Sequence, residues 1–395
     1  MIVRSRLRRV AVLAPIIVGL LVGCGGAPVT PDYGGYSIER AEPDYDAGQS
    51  RARGILVESL RLGERISFAD QIDPDLTTTG GGGVLGDHRN LVPGMNLLSG
   101  VQSNVASKLG VRGSFGTIAN NGRSNDREEK FLSIALLAFD SEDVARTATA
   151  DMARADFEQG GDNVSLPLPE HPGALSHYRP SVPTVGSWLT WKNLVIRVYA
   201  KVLEPRPELL ADILTKTYRA QLADLDGFVP TAQSELASLR IDPDRLLTRM
   251  VRTEEPQLSG DTGPSTFAVY GPRAFSLLSP HPSAFLAKLR AASVSQVAVA
   301  HNKYLWHTAS SQAAEAEAAR LVIATEGDYL AMAGVSGLPT VSCGQRKIPE
   351  GRNAQPSRLR CIVHRGPDVV TVLSYLAADA RQLAAAQYAL LGQDR

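Results

Sequence analysis

One pattern of elements runs through this chain twice, and that recurrence limits its fold more than any other feature of the sequence. In the first pass, residues 103–109 read as a short helix ending at Gly110, 111–117 as a strand and 131–139 as a strongly apolar strand. Asp140 offers a helix N-cap, Glu142 and Asp143 fall in the first turn, and Val144, Ala148 and Met152 recur at i, i+4. After a Pro- and Gly-rich loop, 185–191 and 194–202 read as strands, and Lys192-Asn193 between them suits a tight hairpin. Pro207 then opens a helix carrying Leu210, Ile213, Leu214 and Leu222 along one side.

The second pass begins near Ser283. Helix 284–289 leads to strands at 294–300 and 304–308. Ser310 or Ser311 caps a helix holding Ala314, Ala318, Leu321 and Val322. Strands follow at 340–348, 359–364 and, after Arg365-Gly366-Pro367-Asp368, at 369–376. The last helix follows Asp379, with Leu383, Ala386 and Leu390 on one face. The two passes are offset by roughly 170 to 180 residues, and they share element order more than identity. Ala106-Ser107-Lys108-Leu109 against Leu286-Ala287-Lys288-Leu289 is the nearest local match.

These periods predict an α+β chain: two domains of antiparallel sheet packed with helices, either an internal duplication or two unrelated halves. The expected domains are 51–230 and 258–395, joined by a linker, 231–257, that Pro243 and Pro256 punctuate. Gly80-Gly81-Gly82-Gly83 is followed by Val84-Leu85-Gly86-Asp87, not by the Gly-Lys-Ser/Thr of a phosphate loop. It reads as a mobile surface loop.

Ahead of the folded region the chain has a different character. Arg4, Arg6, Arg8 and Arg9 precede a charge-free apolar run, 10–22, which is shorter than the roughly 18 residues a spanning helix needs. Basic head, apolar run and small-residue site form the order of an export signal. Leu21-Val22-Gly23-Cys24 resembles the bacterial lipobox, which implies a signal peptide over 1–23 and a diacylglyceryl group on Cys24. Residues 24–50, rich in Gly and Pro and without hydrophobic period, read as a flexible tether. The whole chain balances 41 basic against 41 acidic residues, and losing the leader's four arginines leaves a net charge of about −4. Such a balance argues against a nucleic-acid partner.

With Cys24 assigned to lipid, Cys343 and Cys361 remain as an even pair in an exported chain. A disulfide is the natural reading, closing a short loop worth about 3 kcal/mol. His364 stands three residues after Cys361, but Cys343 has no Cys or His within four residues, so a zinc site is not expected.

The lipobox, the tether, the two α+β halves and a cysteine pair confined to the second half together resemble a group of actinobacterial cell-envelope lipoproteins of unknown function. The resemblance covers most of the mature chain but rests on layout. It carries no established activity, so it supplies no catalytic residue.

The sequence supplies none either. The histidine pairs His171/His177 and His301/His307 are six apart, which separates the rings on a helix and sets them about 20 Å apart on a strand. No metal or cofactor site is expected. The Gly-x-Ser-x-Gly elbow of serine hydrolases does not occur; Gly334-Val335-Ser336-Gly337 has the wrong spacing. Asp73/Asp75 and Glu128/Glu129 read as solvated loop charge. Trp188, Trp191 and Trp306 lie on strands and are the candidate ligand-facing aromatics, with Trp188 and Trp191 on opposite faces because their spacing is odd. The expected function is a membrane-anchored, extracytoplasmic module that binds an envelope protein, lipid or glycan without catalysis. A hydrolase whose site forms only on folding is the alternative.

Overall fold

The computed structural model describes residues 30–40, 45–86, 97–123, 125, 127–254, 265–326, 328–347 and 358–393, without the side chains of 323–326. Their strands fall into two sheets of seven, every pairing antiparallel, with helices packed on both.

The first half runs α1 (Arg51–Gly63), α2 (Ala69–Ile72), β1 (Thr78–Val84), α3 (Gly100–Lys108), β2 (Gly113–Asn120), β3 (Phe131–Ala138) and α4 (Glu142–Phe157). It continues with β4 (Val164–Ser165), β5 (Leu175–Tyr178), β6 (Thr184–Trp191), β7 (Leu194–Lys201) and α5 (Pro207–Asp224). After α6 (Gln233–Leu236) and a 3-10 turn (Leu247–Arg249), the second half follows. It comprises β8 (Phe267–Tyr270), α7 (Pro272–Ser276), α8 (Pro282–Ala291), β9 (Val294–Ala300), β10 (Lys303–Thr308) and α9 (Ser311–Glu326). Then come β11 (Tyr329–Met332), β12 (Ser342–Arg346), β13 (Leu359–Arg365), β14 (Asp368–Ser374) and α10 (Ala377–Leu391).

The sheet orders are β1-β2-β3-β7-β6-β5-β4 and β8-β9-β10-β14-β13-β12-β11, the same topology twice. The equivalence reaches single residues. Two-residue hairpins join Trp191 to Leu194 and Arg365 to Asp368, which aligns β6–β7 with β13–β14. Ser141 caps α4 by accepting from the Val144 amide, and Ser310 caps α9 by accepting from Ala313. Cys343 and Cys361 oppose each other in register and form a disulfide with Cα atoms 4.1 Å apart. The equivalent pair in the first half is Ser176 and Ser187, also directly opposed, whose buried hydroxyls sit 2.6 Å apart. Tyr218 on α5 and Tyr388 on α10 likewise share a position, twelfth from each helix start. The local identity at 106–109 and 286–289 is not part of this alignment, because Leu109 and Ala292 are the matching helix C-caps.

Three expectations need correction. The glycine run is an edge strand, β1, not a loop. A bulge at Gly81 (φ 123°) and a Cβ position on Gly82 only 2.9 Å from the Gly116 carbonyl explain why glycine is required there. Residues 30–40 and 45–50 are docked rather than free. Gln382 donates to Asp32 (2.7 Å), Tyr36 bonds Asp379, Gln393 donates to the Ile38 carbonyl (2.5 Å), and Tyr45 packs edge-on against Phe267. The linker is also structured: Ile241, Leu246, Leu247 and Met250 are buried, and the Asp46 carboxylate accepts from the Ile241 and Asp242 amides. Tyr33, Tyr36, Ile38 and Tyr45 pack half-buried against the core, and hydrophobic periodicity is blind to side chains scattered in this way.

A continuous apolar core joins the two halves. At their seam Arg273 donates to Asp224 (2.8 Å) and to the Ile66 carbonyl (2.9 Å) and stacks over Phe68, while Glu64 accepts from the Ala274 amide (2.6 Å). A second, smaller core lies between the first sheet and α3–α4.

Candidate ligand-binding cleft

β7 reads Leu-Val-Ile-Arg-Val-Tyr-Ala-Lys, and strand alternation puts Val195, Arg197 and Tyr199 on one face. Val195, and Trp188 directly opposite Arg197, belong to the core under α4, so Arg197 shares that inner face. Past the last turn of α4 the face opens into a cavity of about 410 Å³, lined by Asp156, His177, Thr184, Gly186, Arg197 and Tyr199 among others. Asp156 comes from the end of α4, His177 from β5 opposite Gly186, and the other four from β6 and β7.

Arg197 is only 4% exposed, and a charge so placed costs several kcal/mol unless compensated. Its Nη1 donates to Ser133 Oγ (2.9 Å), and its guanidinium lies 5.0 Å from the Tyr199 ring centroid. Burial pulls its pKa down to about 10, against the attraction of Asp156, Tyr199 and Tyr218, so it stays charged at neutral pH. Burial alone would raise the Asp156 carboxyl. The hydrogen bond and charge of His177, the Gln102 amide and Arg197 outweigh it and hold that pKa below its usual value. Asp156 Oδ1 accepts from Gln102 (2.5 Å), and Oδ2 lies 3.1 Å from His177 Nε2. The His177 ring is fixed in turn, stacked on Trp188 at 5.3 Å with Phe157 edge-on at 5.4 Å.

The result is a prearranged polar wall with one guanidinium on the floor. That planar fork matches a carboxylate or phosphate, and the flanking acid–imidazole pair offers further polar contacts to a bound anion's neighbouring groups. Gly186 keeps the floor low, since a Cβ there would lie 2.8 Å from the Trp188 ring and 3.4 Å from Asp156.

Of the residues singled out from sequence, Cys24 lies outside the described residues. Trp188 is fully buried beneath α4 and presents no face to a ligand; it supports His177 instead. Trp191 is half-buried with Lys192 Nζ 4.2 Å above its ring, away from the cleft. Trp306 lines a separate cavity in the second half. The histidine pairs stay apart in function: His301 meets Glu254 (3.4 Å) and His307 meets Asp368 (2.6 Å). Asp73 and Asp75 both engage Lys130, and Glu129 pairs with Lys201 at 2.9 Å. No group of three or more His, Cys, Asp or Glu among the described residues could hold a metal ion. Sequence reasoning passed over Arg197, although an arginine at an inward position of a central apolar strand was the available signal.

Comparison with known proteins gives a family but no activity. Residues 45–241 match the profile described as domain of unknown function (DUF7373) N-terminal, and 246–394 match its C-terminal counterpart. No curated protein matches the chain. A solved structure, the extracellular domain of PknH from Mycobacterium tuberculosis, aligns at 14% identity over 41% of this chain and 96% of that one. Its TM-score is 0.29, too low to carry an argument. With both profiles matched in order over nearly all of the folded region, the chain belongs to the two-domain DUF7373 family.

Proposed function

We propose that this protein is a lipid-anchored, extracytoplasmic module that binds a small anionic ligand in the first-half cleft without transforming it. The observation that carries the reading is the buried Arg197 guanidinium on the floor of a 410 Å³ cavity, held charged by a fixed polar wall. The anchor rests on the leader and Leu21-Val22-Gly23-Cys24 in the sequence. Among the described residues, no helix is long and apolar enough to cross a membrane.

The Asp156–His177 pair favours a second reading. It is the orienting half of an acid–base apparatus, and an envelope hydrolase would use it. A hydrolase of the serine or cysteine type also needs a nucleophile on the imidazole. Among the described residues, His177 has Asp156 as its hydrogen-bond partner and no hydroxyl or thiol.

Two experiments separate these readings. Native purification followed by mass spectrometry of released small molecules should recover an organic carboxylate or phosphate from the wild type and not from Arg197→Gln. Turnover of ester or amide substrates that vanished in His177→Ala would replace binding by hydrolysis. For the anchor, Cys24→Ser should block acyl labelling and move the protein out of the detergent phase; unchanged partitioning would remove the anchor from the account.

A further inference from the structure

The second half has its own cleft in the equivalent place, and its chemistry is different. Matching the hairpins puts Thr371 where Arg197 stands, Leu373 where Tyr199 stands, and Arg360 where Gly186 stands. On the β3-equivalent strand, Tyr304 and Trp306 replace Ala135 and Leu137. These residues, with Phe275 and Phe285 from α7 and α8, line a cavity of about 350 Å³. Phe275 and Phe285 both approach Trp306 edge-on, at 5.4 and 6.1 Å, so the walls are a braced aromatic cage. A smaller cavity of about 100 Å³ continues from it past Tyr329 and Arg360, which border both.

Among the described residues, Arg360 is the one charged side chain lining either cavity. It donates to the Leu321 carbonyl (3.0 Å) and stacks 4.7 Å over Tyr329, but no carboxylate among the described residues pairs with it. Its charge therefore stands over an apolar space, where an anion would gain more than it would in water. The chain's attachment adds a second argument. Asp32 and Tyr36 dock on α10 of this same half, and at most about 30 Å of extended chain can separate Asp32 from Cys24. If Cys24 carries lipid, as proposed above, the second half is held close to the membrane and the first half is not tied to it directly.

We infer that the second-half cavity is a separate site for an amphipathic anion, an acyl chain ending in a carboxylate or phosphate. The aromatic cage takes the chain and Arg360 takes the head group. The duplication thus yields two sites of different chemistry on one scaffold, polar in the first half and acyl-binding in the second.

The test is a titration of the mature chain below micellar concentrations, read by tryptophan fluorescence and calorimetry, with laurate, dodecyl phosphate and dodecanol as probes. At least one anionic probe should bind one to one and at least tenfold more tightly than dodecanol. Arg360→Met should bring that probe to the level of dodecanol, and Leu278→Trp, which fills the cavity, should abolish binding of all three. Arg197→Gln should leave the anionic probe unchanged, which separates this site from the first-half cleft. Tighter binding of laurate points to a free fatty acid as the natural source, tighter binding of dodecyl phosphate to a phospholipid, and both support the site. Equal affinities for all three probes in wild type and Arg360→Met would overturn it, as would loss of binding in Arg197→Gln or no binding at all.

Discussion

Arg197, Arg360 and Lys303 are three cations placed on or inside strands, and each is stabilised differently. Arg197 has a hydroxyl, an aromatic face and a nearby carboxylate. Arg360 has a carbonyl and an aromatic face, and burial lowers its pKa, against the attraction of Tyr329 and with the repulsion of Arg320 adding. Lys303 is fully buried, donating to Thr253 (2.6 Å) and Asn302 (3.0 Å). Its burial, opposed by Glu254, lowers its pKa from 10.5 to about 8. A lysine whose pKa is depressed on folding is more fully protonated when unfolded, so its contribution is present above pH 10.5 and is lost as pH falls through 8. Stability of the wild type relative to Lys303→Met should therefore rise between pH 7 and 10, by up to about 3 kcal/mol. Denaturant titrations of both proteins across that range check this, and parallel curves would contradict it. Only Arg197 leaves a signal in the sequence, its inward position on an apolar strand, and the partners of all three depend on which strands become neighbours.

Elements with strong period were legible, and those without it were not. The apolar strand β3, the β6–β7 hairpin and the proline-started α5 lie within a few residues of their expected positions. The cap of α4 is Ser141, one residue beyond the expected Asp140. β1 and β11 carry no strand signal of their own, since a glycine run and the mixed stretch Tyr329–Met332 become strands only by pairing with a neighbour's edge. The duplication, argued from element order alone, is now carried by matched caps, hairpins and cross-strand pairs. It makes a sharp prediction. Ser176 and Ser187 occupy the disulfide's position, so Ser176→Cys with Ser187→Cys should oxidise spontaneously and raise the first half's stability by about 2 kcal/mol. Mass spectrometry without reductant and thermal unfolding read the result. A free dithiol in an oxidising buffer would break the equivalence. Conversely, Cys343→Ser with Cys361→Ser should cost about 3 kcal/mol, mainly in the second half, as limited proteolysis would locate.

At the scale of the molecule, the two halves are joined by more than a linker. Arg273 links α7 to Asp224 at the end of α5 and to the chain after α1, and Asp70 accepts from Ser283 (2.6 Å). Burial raises the Glu64 pKa even though two backbone amides, Arg273 and Arg65 favour its ionised form. Removing Arg273 would take the donor from the Ile66 carbonyl and leave the Asp224 carboxylate with the Ser67 hydroxyl but no counter-charge at the seam. Arg273→Ala should cost about 2 to 3 kcal/mol and split one unfolding transition into two. A calorimetric trace that stayed single and unshifted would show the seam to be energetically idle. The docked segment 30–40 adds a contact of the same kind, since it ties the chain ahead of α1 to α10 and the residues that follow it.

Binding of a small anion in the first-half cleft, as proposed, would show directly in solution. Calorimetric titration of the mature chain with small carboxylates and phosphate monoesters, wild type beside Arg197→Gln, tests it most directly. Saturable one-to-one binding of at least one of them is expected, with a loss of at least tenfold in the variant at unchanged fold. Heats that are the same for wild type and variant across the whole series would contradict it.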